Sequence, residues 1–136
     1  MRAPLHEGLL CGDLDQLEAV RLTGTRCRDC GEVSLGERNP CPNCGGEAVG
    51  AITLAAEGSL WGFTVIRHRP PGEYPGPEPF QPFGLGLVEL PEGLRVVSPI
   101  AADLAALKIG MTLKFEAYAR ATPEGERVLF RFVPTR

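Results

Sequence analysis

Four cysteines occur as two closely spaced pairs, and this spacing is typical of a metal site. Cys27 and Cys30 form one C-x2-C pair, and Cys41 and Cys44 form a second pair after ten intervening residues. A tight turn can direct the two thiolates of each pair towards one point, and the glycine after each pair relieves the steric cost of a positive φ angle. The sequence therefore predicts one structural metal ion, zinc, held tetrahedrally by four thiolates.

A shell of four protein ligands leaves no position for a metal-bound water, so we do not expect this metal to catalyse hydrolysis. Rubredoxin-type iron is the alternative, because the segment "CPNCG" matches a rubredoxin knuckle and four sulfurs suit either metal. The short interval between the pairs and the lack of surrounding aromatic residues favour zinc.

The other candidate catalytic groups are sparse. Cys11 lies among apolar neighbours in "GLLCGDL" and is predicted to be a buried, inert thiol. The only histidines are His6 and His68; His6 is the only one close in sequence to Cys11, and His68 has no serine or cysteine adjacent to it. We find no phosphate-binding glycine loop and no convincing pair of carboxylates. The sequence therefore does not predict an enzyme that acts on its own.

Composition narrows the class of protein further. The chain has 136 residues, 43% of them hydrophobic and 23% charged, as in globular proteins. The 17 glycines and 13 prolines favour short strands joined by turns. A net charge of −3 weighs against a protein whose main role is to hold nucleic acid. No apolar stretch is long enough to cross a bilayer and no signal peptide is recognisable, so a cytoplasmic location is expected.

The chain divides into three parts, at residues 1–20, 21–50 and 51–136. The first is predicted to be a short helical lead-in, with Asp13 as N-cap and Gln16 as its capping-box partner. Its apolar face is too short to be stable alone and must dock on another surface; this face comprises Leu14, Leu17 and Val20. The second part is the cysteine module, in which the two cysteine pairs form knuckles on a hairpin.

The third part reads as five short strands with a short helix between the third and fourth. "MTLKFEAYA" and "RVLFRFV" alternate between apolar and polar residues, and Pro91-Glu92-Gly93 is a turn that joins two strands into a hairpin. "ADLAALKIG" suits one or two helical turns, with Leu104 and Leu107 buried and Gly110 in a left-handed conformation. This order predicts a mainly β protein whose third part is a five-stranded OB-fold barrel; an SH3-like barrel and an open sandwich are the alternatives.

The candidate ligand surface lies around the first barrel strand. Arg67, His68 and Arg69 suit phosphate oxygens, and aromatic groups could stack on a purine of coenzyme A or of single-stranded nucleic acid. The alternation in "SLWGFTV" instead favours an inward, core position for Trp61 and Phe63. A proline-rich connection over residues 69–82 follows; it is either a surface loop without a role or a functional loop, and it carries Tyr74 and Phe80, with Phe83 just after it.

A resemblance covers almost the whole chain. It rests on "TGTRCRDCG", "CPNCGG", "GSLWGFTVI", "FGLGLVELPEGLRVVSPI", "LKIGMTLKF" and "RVLFRFVP" in this order. The chain resembles the small proteins with an N-terminal rubredoxin-like zinc ribbon and a C-terminal OB domain that accompany thiolase-like enzymes and lipid-transfer-protein-type aldolases.

The resemblance implies a non-catalytic subunit of a hetero-oligomer, whose catalytic partner is thiolase-like or lipid-transfer-protein-like. It implies that the OB domain helps to form or close an acyl-CoA site, so that a coenzyme A ester is a shared ligand. We assign Arg67, His68, Arg69, Phe80 and Phe83 as contacts to that ester. A single-stranded nucleic-acid-binding protein is the alternative function, and a rubredoxin-like electron carrier is the third.

Overall fold

The computed structural model describes residues 2–72, 76–77 and 79–135. In this part of the chain it has ten β-strands and two single turns of 3-10 helix, arranged as a four-stranded and a six-stranded sheet. No helix among the described residues has the length and apolar character needed to cross a membrane.

The four-stranded sheet forms the ribbon and its base. Its strands are β2 (Leu10–Cys11), β3 (Arg21–Cys27), β4 (Val33–Leu35) and β5 (Val49–Thr53). β3 is central and pairs antiparallel with the other three. It is also buried on both faces: a Cβ at Gly24 would lie 2.8 Å from a methyl carbon of Leu54. Glycine at this position therefore lets the chain after β5 pack directly on the ribbon strand.

The six-stranded sheet contains the barrel. Its strands are β1 (Arg2–Pro4), β6 (Glu57–Ile66), β7 (Phe83–Glu89), β8 (Arg95–Ile100), β9 (Thr112–Thr122) and β10 (Gly125–Pro134). Around the barrel the order is β6-β7-β8-β10-β9, and β9 pairs back with β6. This is the closed Greek-key order of an OB-fold. The predicted fold class is confirmed, and an open sandwich is excluded.

One hydrophobic core joins the barrel to the base of the ribbon. Val20, Leu22 and Leu54 belong to the same buried cluster as the barrel residues Leu113 and Phe132. Phe115 anchors the barrel part, because its ring lies 5.8 Å from the rings of both Phe130 and Phe132. The strictly alternating burial of Leu113, Phe115 and Ala117 matches the prediction for this strand.

The predicted turns are present. Residues 91–93 connect β7 to β8 as an antiparallel hairpin, with Gly93 at φ +100°. The second 3-10 turn (Leu104–Ala106) lies between β8 and β9, and the carboxylate of Asp103 accepts a hydrogen bond from the N–H of Ala105 at 3.4 Å. Gly110 has φ +93°, the left-handed conformation expected for it. Leu104 and Leu107 are half-buried, not fully buried.

The N-terminal lead-in differs from its prediction in detail. Its helix is a single 3-10 turn (Leu17–Ala19), and Gln16 makes no side-chain cap. The Asp13 carboxylate instead accepts from the N–H of Asp15 at 2.9 Å, a local Asx turn that competes with a helical cap. The predicted docking is confirmed: Val20 is fully buried, and Leu14 and Leu17 pack against the core.

The core positions expected for Trp61 and Phe63 are wrong. Trp61 is 49% exposed and Phe63 is 38% exposed, whereas Leu60 is 1% exposed. The register of β6 against β7 shifts between Leu60 and Gly62. A bulge at this point adds one residue and breaks the two-residue alternation on which the prediction depended.

Candidate functional site

The structure brings the four paired cysteines to one point at the tip of the ribbon. The Sγ atoms of Cys27, Cys30, Cys41 and Cys44 all lie within 4.8 Å of one another. The Cys27–Cys44 and Cys30–Cys41 sulfur distances are both 3.7 Å. A tetrahedron with metal–sulfur bonds of about 2.3 Å has edges of about 3.8 Å, whereas a disulfide is about 2.05 Å long. The separations therefore fit four sulfurs around one metal ion.

Two similar turns position these sulfurs. In each pair, the N–H of the glycine after the second cysteine donates to the carbonyl oxygen of the first, at 2.9 Å for Gly31 to Cys27 and for Gly45 to Cys41. Both glycines have positive φ, at +82° and +79°. The N–H of Asn43 also donates to Cys41 Sγ at 3.3 Å. Such N–H···S bonds disperse thiolate charge and orient the ligands, as outer-shell hydrogen bonds do in other metal sites.

The electrostatics of the four cysteine side chains favour binding of a cation. The side-chain amide of Asn43 and a backbone N–H lower the pKa of the Cys30 thiol to about 7. At Cys44 the N–H of Gly46 lowers the pKa, but the nearby cysteine sulfurs outweigh it and raise the pKa to about 12. Four sulfurs at these separations repel one another once ionised, and a divalent ion removes that repulsion. Since four sulfurs suit zinc and iron alike, this donor set establishes a metal site without fixing the metal.

Few apolar contacts hold the tip of the ribbon in place. Of the twelve residues from 37 to 48, only Cys41 is buried. By contrast, Val33 and Leu35 of β4 pack on the common core. Besides hydrogen bonds of Arg38 and Ala48, the metal ligands are therefore the main tertiary link of the tip to the rest of the ribbon.

The predicted coenzyme A contacts come together at one end of the β6–β7 hairpin. Arg67, His68 and Arg69 follow β6 and are exposed. Phe80 and Phe83 meet edge to face, with ring centroids 6.2 Å apart. The last residue of β6 is the register partner of Phe83, so both groups lie at the same end. Their role in ligand binding stays a prediction, and Tyr74 lies outside the described residues.

An apolar groove, which sequence reasoning missed, opens on the side of the barrel between β8 and β10. These strands share a single pair of register partners, Ile100 and Phe132, and Pro99 has no backbone N–H to add to their ladder. The groove has a volume of about 510 Å³, within the usual range for small-molecule sites. Its walls include Leu5, Leu9, Leu85, Val97, Leu129 and Phe130.

A second feature is an exposed apolar face on the outside of β6, β7 and β8, here called the outer face and made up of Trp61, Leu87, Val97 and Arg95. Val97 is 58% exposed and is the register partner of Leu87. The Arg95 guanidinium lies 4.1 Å from the centroid of the Trp61 ring and forms an ion pair with Glu89 at 3.4 Å. The bulge in β6 accompanies this outward position of Trp61, and a bulge leaves no clear signal in a single sequence.

Cys11 is half-buried, not fully buried as predicted. Its Sγ lies 3.6 Å from the carbonyl oxygen of Arg21, to which the thiol can donate, and 3.8 Å from the hydroxyl oxygen of Thr53. These partners give it no base, so its surroundings are those of a structural thiol.

The fold and the four-sulfur centre together define a class, the metal-ribbon proteins that carry a C-terminal OB barrel. Family models identify the class more closely. The ChsH2 rubredoxin-like zinc ribbon domain matches residues 16–50, and the ChsH2 C-terminal OB-fold domain matches residues 51–117. The chain therefore belongs to the ChsH2 family of zinc-ribbon and OB-fold proteins.

Individual relatives agree with this assignment. The chain is 30% identical over 96 residues to the benzoylsuccinyl-CoA thiolase subunit BbsA of Thauera aromatica. The aligned region covers 70% of this chain and 61% of BbsA. The match thus spans less than two thirds of that relative. The chain is also 30% identical over 111 residues to a DUF35 domain-containing scaffold protein of Methanothermobacter thermautotrophicus, covering 80% of each. Among solved structures, the Ltp2-ChsH2(DUF35) aldolase matches with a TM-score of 0.62 and 29% identity, covering 84% of both chains.

Proposed function

We propose that this chain is a non-catalytic, zinc-containing subunit of an acyl-CoA thiolase- or aldolase-type complex. In this proposal it holds a catalytic subunit, either thiolase-like or lipid-transfer-protein-like, and helps to form or close the acyl-CoA site. The observation that carries the proposal is the outer face of the barrel, which has the composition of a protein interface.

The outer face combines side chains that dominate binding energy at interfaces. Tryptophan and arginine are the residues most enriched among such hot spots, and here Arg95 is stacked over Trp61. Val97 extends the apolar surface across the neighbouring strands. Large apolar groups clustered on an exposed sheet face mark interaction sites more often than isolated ones do. The ion pair of Arg95 with Glu89 also fixes the arginine before a partner binds, which lowers the entropy lost on docking.

The descriptions of the relatives indicate which kind of catalytic subunit the partner is. BbsA is described as a thiolase subunit, the archaeal relative as a scaffold protein, and the structural relative as part of an aldolase. A scaffold that contributes no reacting group is consistent with the closed four-sulfur shell, which has no room for substrate. It is also consistent with the exposed positions of His6 and His68, neither of which is hydrogen-bonded to a nucleophile in the described part of the chain.

We place the coenzyme A ester at the end of the β6–β7 hairpin, where Arg67, His68 and Arg69 would meet its phosphates. Guanidinium groups suit phosphate oxygens because they donate two parallel hydrogen bonds. Phe80 and Phe83 would pack against its apolar part. The metal in this proposal is zinc, with a structural role at the ribbon tip.

The test is reconstitution with a defined partner. Tagged chain is purified from its native host, the bound proteins are identified, and the thiolase- or aldolase-type subunit among them is co-expressed with the chain. We expect a stable hetero-oligomer whose thiolase or aldolase activity needs both chains, while this chain alone is inactive. A chain that is active in isolation, or a thiolase-type subunit that is fully active without it, would refute the proposal.

A pair of matched variants tests the outer face itself. Val97→Asp places a charge in the apolar patch and should weaken binding of the partner at least tenfold, because an uncompensated charge would be buried at the interface. Ala121→Asp places the same charge at an exposed position near the β9–β10 turn and should leave binding unchanged. Equal affinities for the two variants would show that the partner docks elsewhere.

A further inference from the structure

The groove between β8 and β10 has a second property besides its size. Among the described residues that line it, the charged ones are Arg120 and Arg131, and none is aspartate or glutamate. This is notable in a chain whose net charge is −3, since acidic residues outnumber basic ones overall. The groove is therefore an apolar cleft with a local positive charge.

The two arginines differ in whether a carboxylate already balances the charge of the guanidinium group. Arg131 donates to the carboxylate of Glu116 at 2.6 Å and stacks 4.3 Å from the ring centroid of Tyr118. Arg120 makes no ion pair with any described residue, and its cross-strand register partner is a second cation, Arg127. Like charges placed directly opposite each other on a sheet repel. An anion beside Arg120 would remove that repulsion, so the electrostatic attraction of the groove for a negative group is centred there.

The apolar walls of the groove determine the chemistry of the uncharged part of the ligand. Apolar side chains dominate its lining, among them Leu5, Leu9, Phe83, Leu85 and Leu129. Surfaces of this kind bind hydrocarbon or aromatic groups, and a few polar residues then fix their orientation. A polyanion such as nucleic acid would need a run of cations along the groove, and two arginines do not provide one.

We infer that the groove binds an amphipathic anion, an acyl or aromatic group with an anionic oxygen that pairs with Arg120. The identification of this ligand as the substrate's acyl group rests on the proposed function, and Phe83, one of the predicted acyl-CoA contacts, lines the groove. Two sources share this chemistry, the carboxylate of an acyl group and the phosphates of coenzyme A. The structure assigns the anion site to Arg120, which no comparison with the relatives identifies.

The test uses the isolated, metal-loaded full chain and simple probes, so it does not depend on any partner. Isothermal titration calorimetry compares decanoate, decanol and free coenzyme A. We expect decanoate to bind about tenfold or more tightly than decanol, because hydrogen bonds to charged groups are stronger than neutral ones. Decanoate that binds no more tightly than decanol, or does not bind, overturns the inference. If coenzyme A alone displaces decanoate, the anion is a phosphate; if it does not, the anion is a carboxylate.

Variants at one position locate the anion. Arg120→Gln should weaken decanoate binding about tenfold and leave decanol binding unchanged, and Arg120→Lys should restore most of the affinity. Arg26→Gln, at an exposed arginine on the ribbon strand β3, is the matched control and should bind as the unaltered chain does. Thermal unfolding of each variant verifies that the barrel is folded. Equal decanoate affinity of Arg120→Gln and Arg26→Gln would overturn the assignment.

Failure of this inference can be distinguished from failure of the proposed function. A chain that binds decanoate through Arg120 but forms no complex with a thiolase- or aldolase-type subunit would contradict only the proposed function. A chain that forms the active complex but shows no preference for decanoate would contradict only this inference.

Discussion

Removal of one metal ligand should unfold the ribbon tip and leave the barrel folded. The change is Cys41→Ser, at the only buried residue among the twelve from 37 to 48. Fixing a residue's backbone costs about 1–2 kcal/mol, so ordering this segment costs on the order of 12–24 kcal/mol. A structural zinc ion contributes about 10–16 kcal/mol in small zinc-binding peptides, which is of the same size. Burial of apolar groups cannot replace it, because this segment buries almost none.

The barrel should respond differently because its core lies elsewhere. The buried cluster runs from Val20 and Leu22 through Leu54 to the barrel strands and includes no residue of the tip. Hydrogen exchange followed by mass spectrometry separates the two regions, since peptides from 37–48 and from β9 and β10 are read in one experiment. We expect exchange in the tip to become fast in Cys41→Ser, and exchange in β9 and β10 to change little.

Cys11→Ser is the matched control, since it removes a thiol outside the metal cluster. It should retain one metal ion per chain, whereas Cys41→Ser should lose it, as measured by elemental analysis. The reasoning would be refuted if residues 37–48 stayed protected from exchange in Cys41→Ser after the metal was lost. Loss of protection throughout β9 and β10 would equally contradict it, because the metal would then support the barrel as well.

Three further outcomes are expected. The purified protein should be colourless with one zinc per chain, and visible absorption with bound iron would favour an electron carrier instead. Gly58→Ala should lower the free energy of unfolding in urea by about 1–3 kcal/mol, because its Cβ would lie 2.5 Å from the carbonyl oxygen of Glu89. Gly62→Ala, on the same strand with no atom within 4 Å of its Cβ, should change it by less than about 0.5 kcal/mol, and equal effects would contradict the steric argument. Trp61→Ala should weaken partner binding roughly 60-fold, because Trp61 is 49% exposed and burial of about 100 Å² of its side chain at about 25 cal/mol per Å² gives about 2.5 kcal/mol. Unchanged affinity would exclude the outer face as the docking site.

The sequence predicted most of the barrel because its signals are local. The alternation in β9 depends only on which side of one strand each residue faces, and the structure reproduces it at Leu113, Phe115 and Ala117. Gly93 and Gly110 mark turns that need a positive φ, and both have one. The clustering of the cysteines was equally predictable, because each pair is formed by a turn of a few residues.

The features that were missed depend on contacts between distant parts of the chain. β1 has only three residues, including a proline, yet it pairs in parallel with β10 through Arg2 and Glu126. Nothing local in "RAP" distinguishes it from coil. The predicted lead-in helix is a single 3-10 turn, because the Asp13 carboxylate accepts a hydrogen bond from the nearby N–H of Asp15 and because Val20 packs in the core shared with the barrel. Tertiary packing overrides helix propensity in so short a segment.

The candidate ligand surfaces were only partly predictable for a related reason. Phe83 was identified as a ligand contact, and it does line the groove. Arg120, the anion contact proposed above, was not predicted, because the groove exists only where β8 and β10 diverge, and these strands are not consecutive in sequence. Of the outer face, Trp61 was predicted to lie in the core, because one bulged residue reverses its expected side.

Val97 connects the two proposed binding surfaces, since it belongs to the outer face and also lines the groove. A subunit that docks over Val97 therefore covers one wall of the groove and adds contacts to a ligand inside it. Binding of the two must then be coupled, and thermodynamic linkage makes the coupling reciprocal. We expect saturating decanoate to raise the affinity for the partner by the same factor, about 5-fold or more, by which the partner raises the affinity for decanoate. Titrations in both orders measure the two factors. A partner affinity that does not depend on decanoate, or that falls when the groove is filled, would show that the partner does not complete this site.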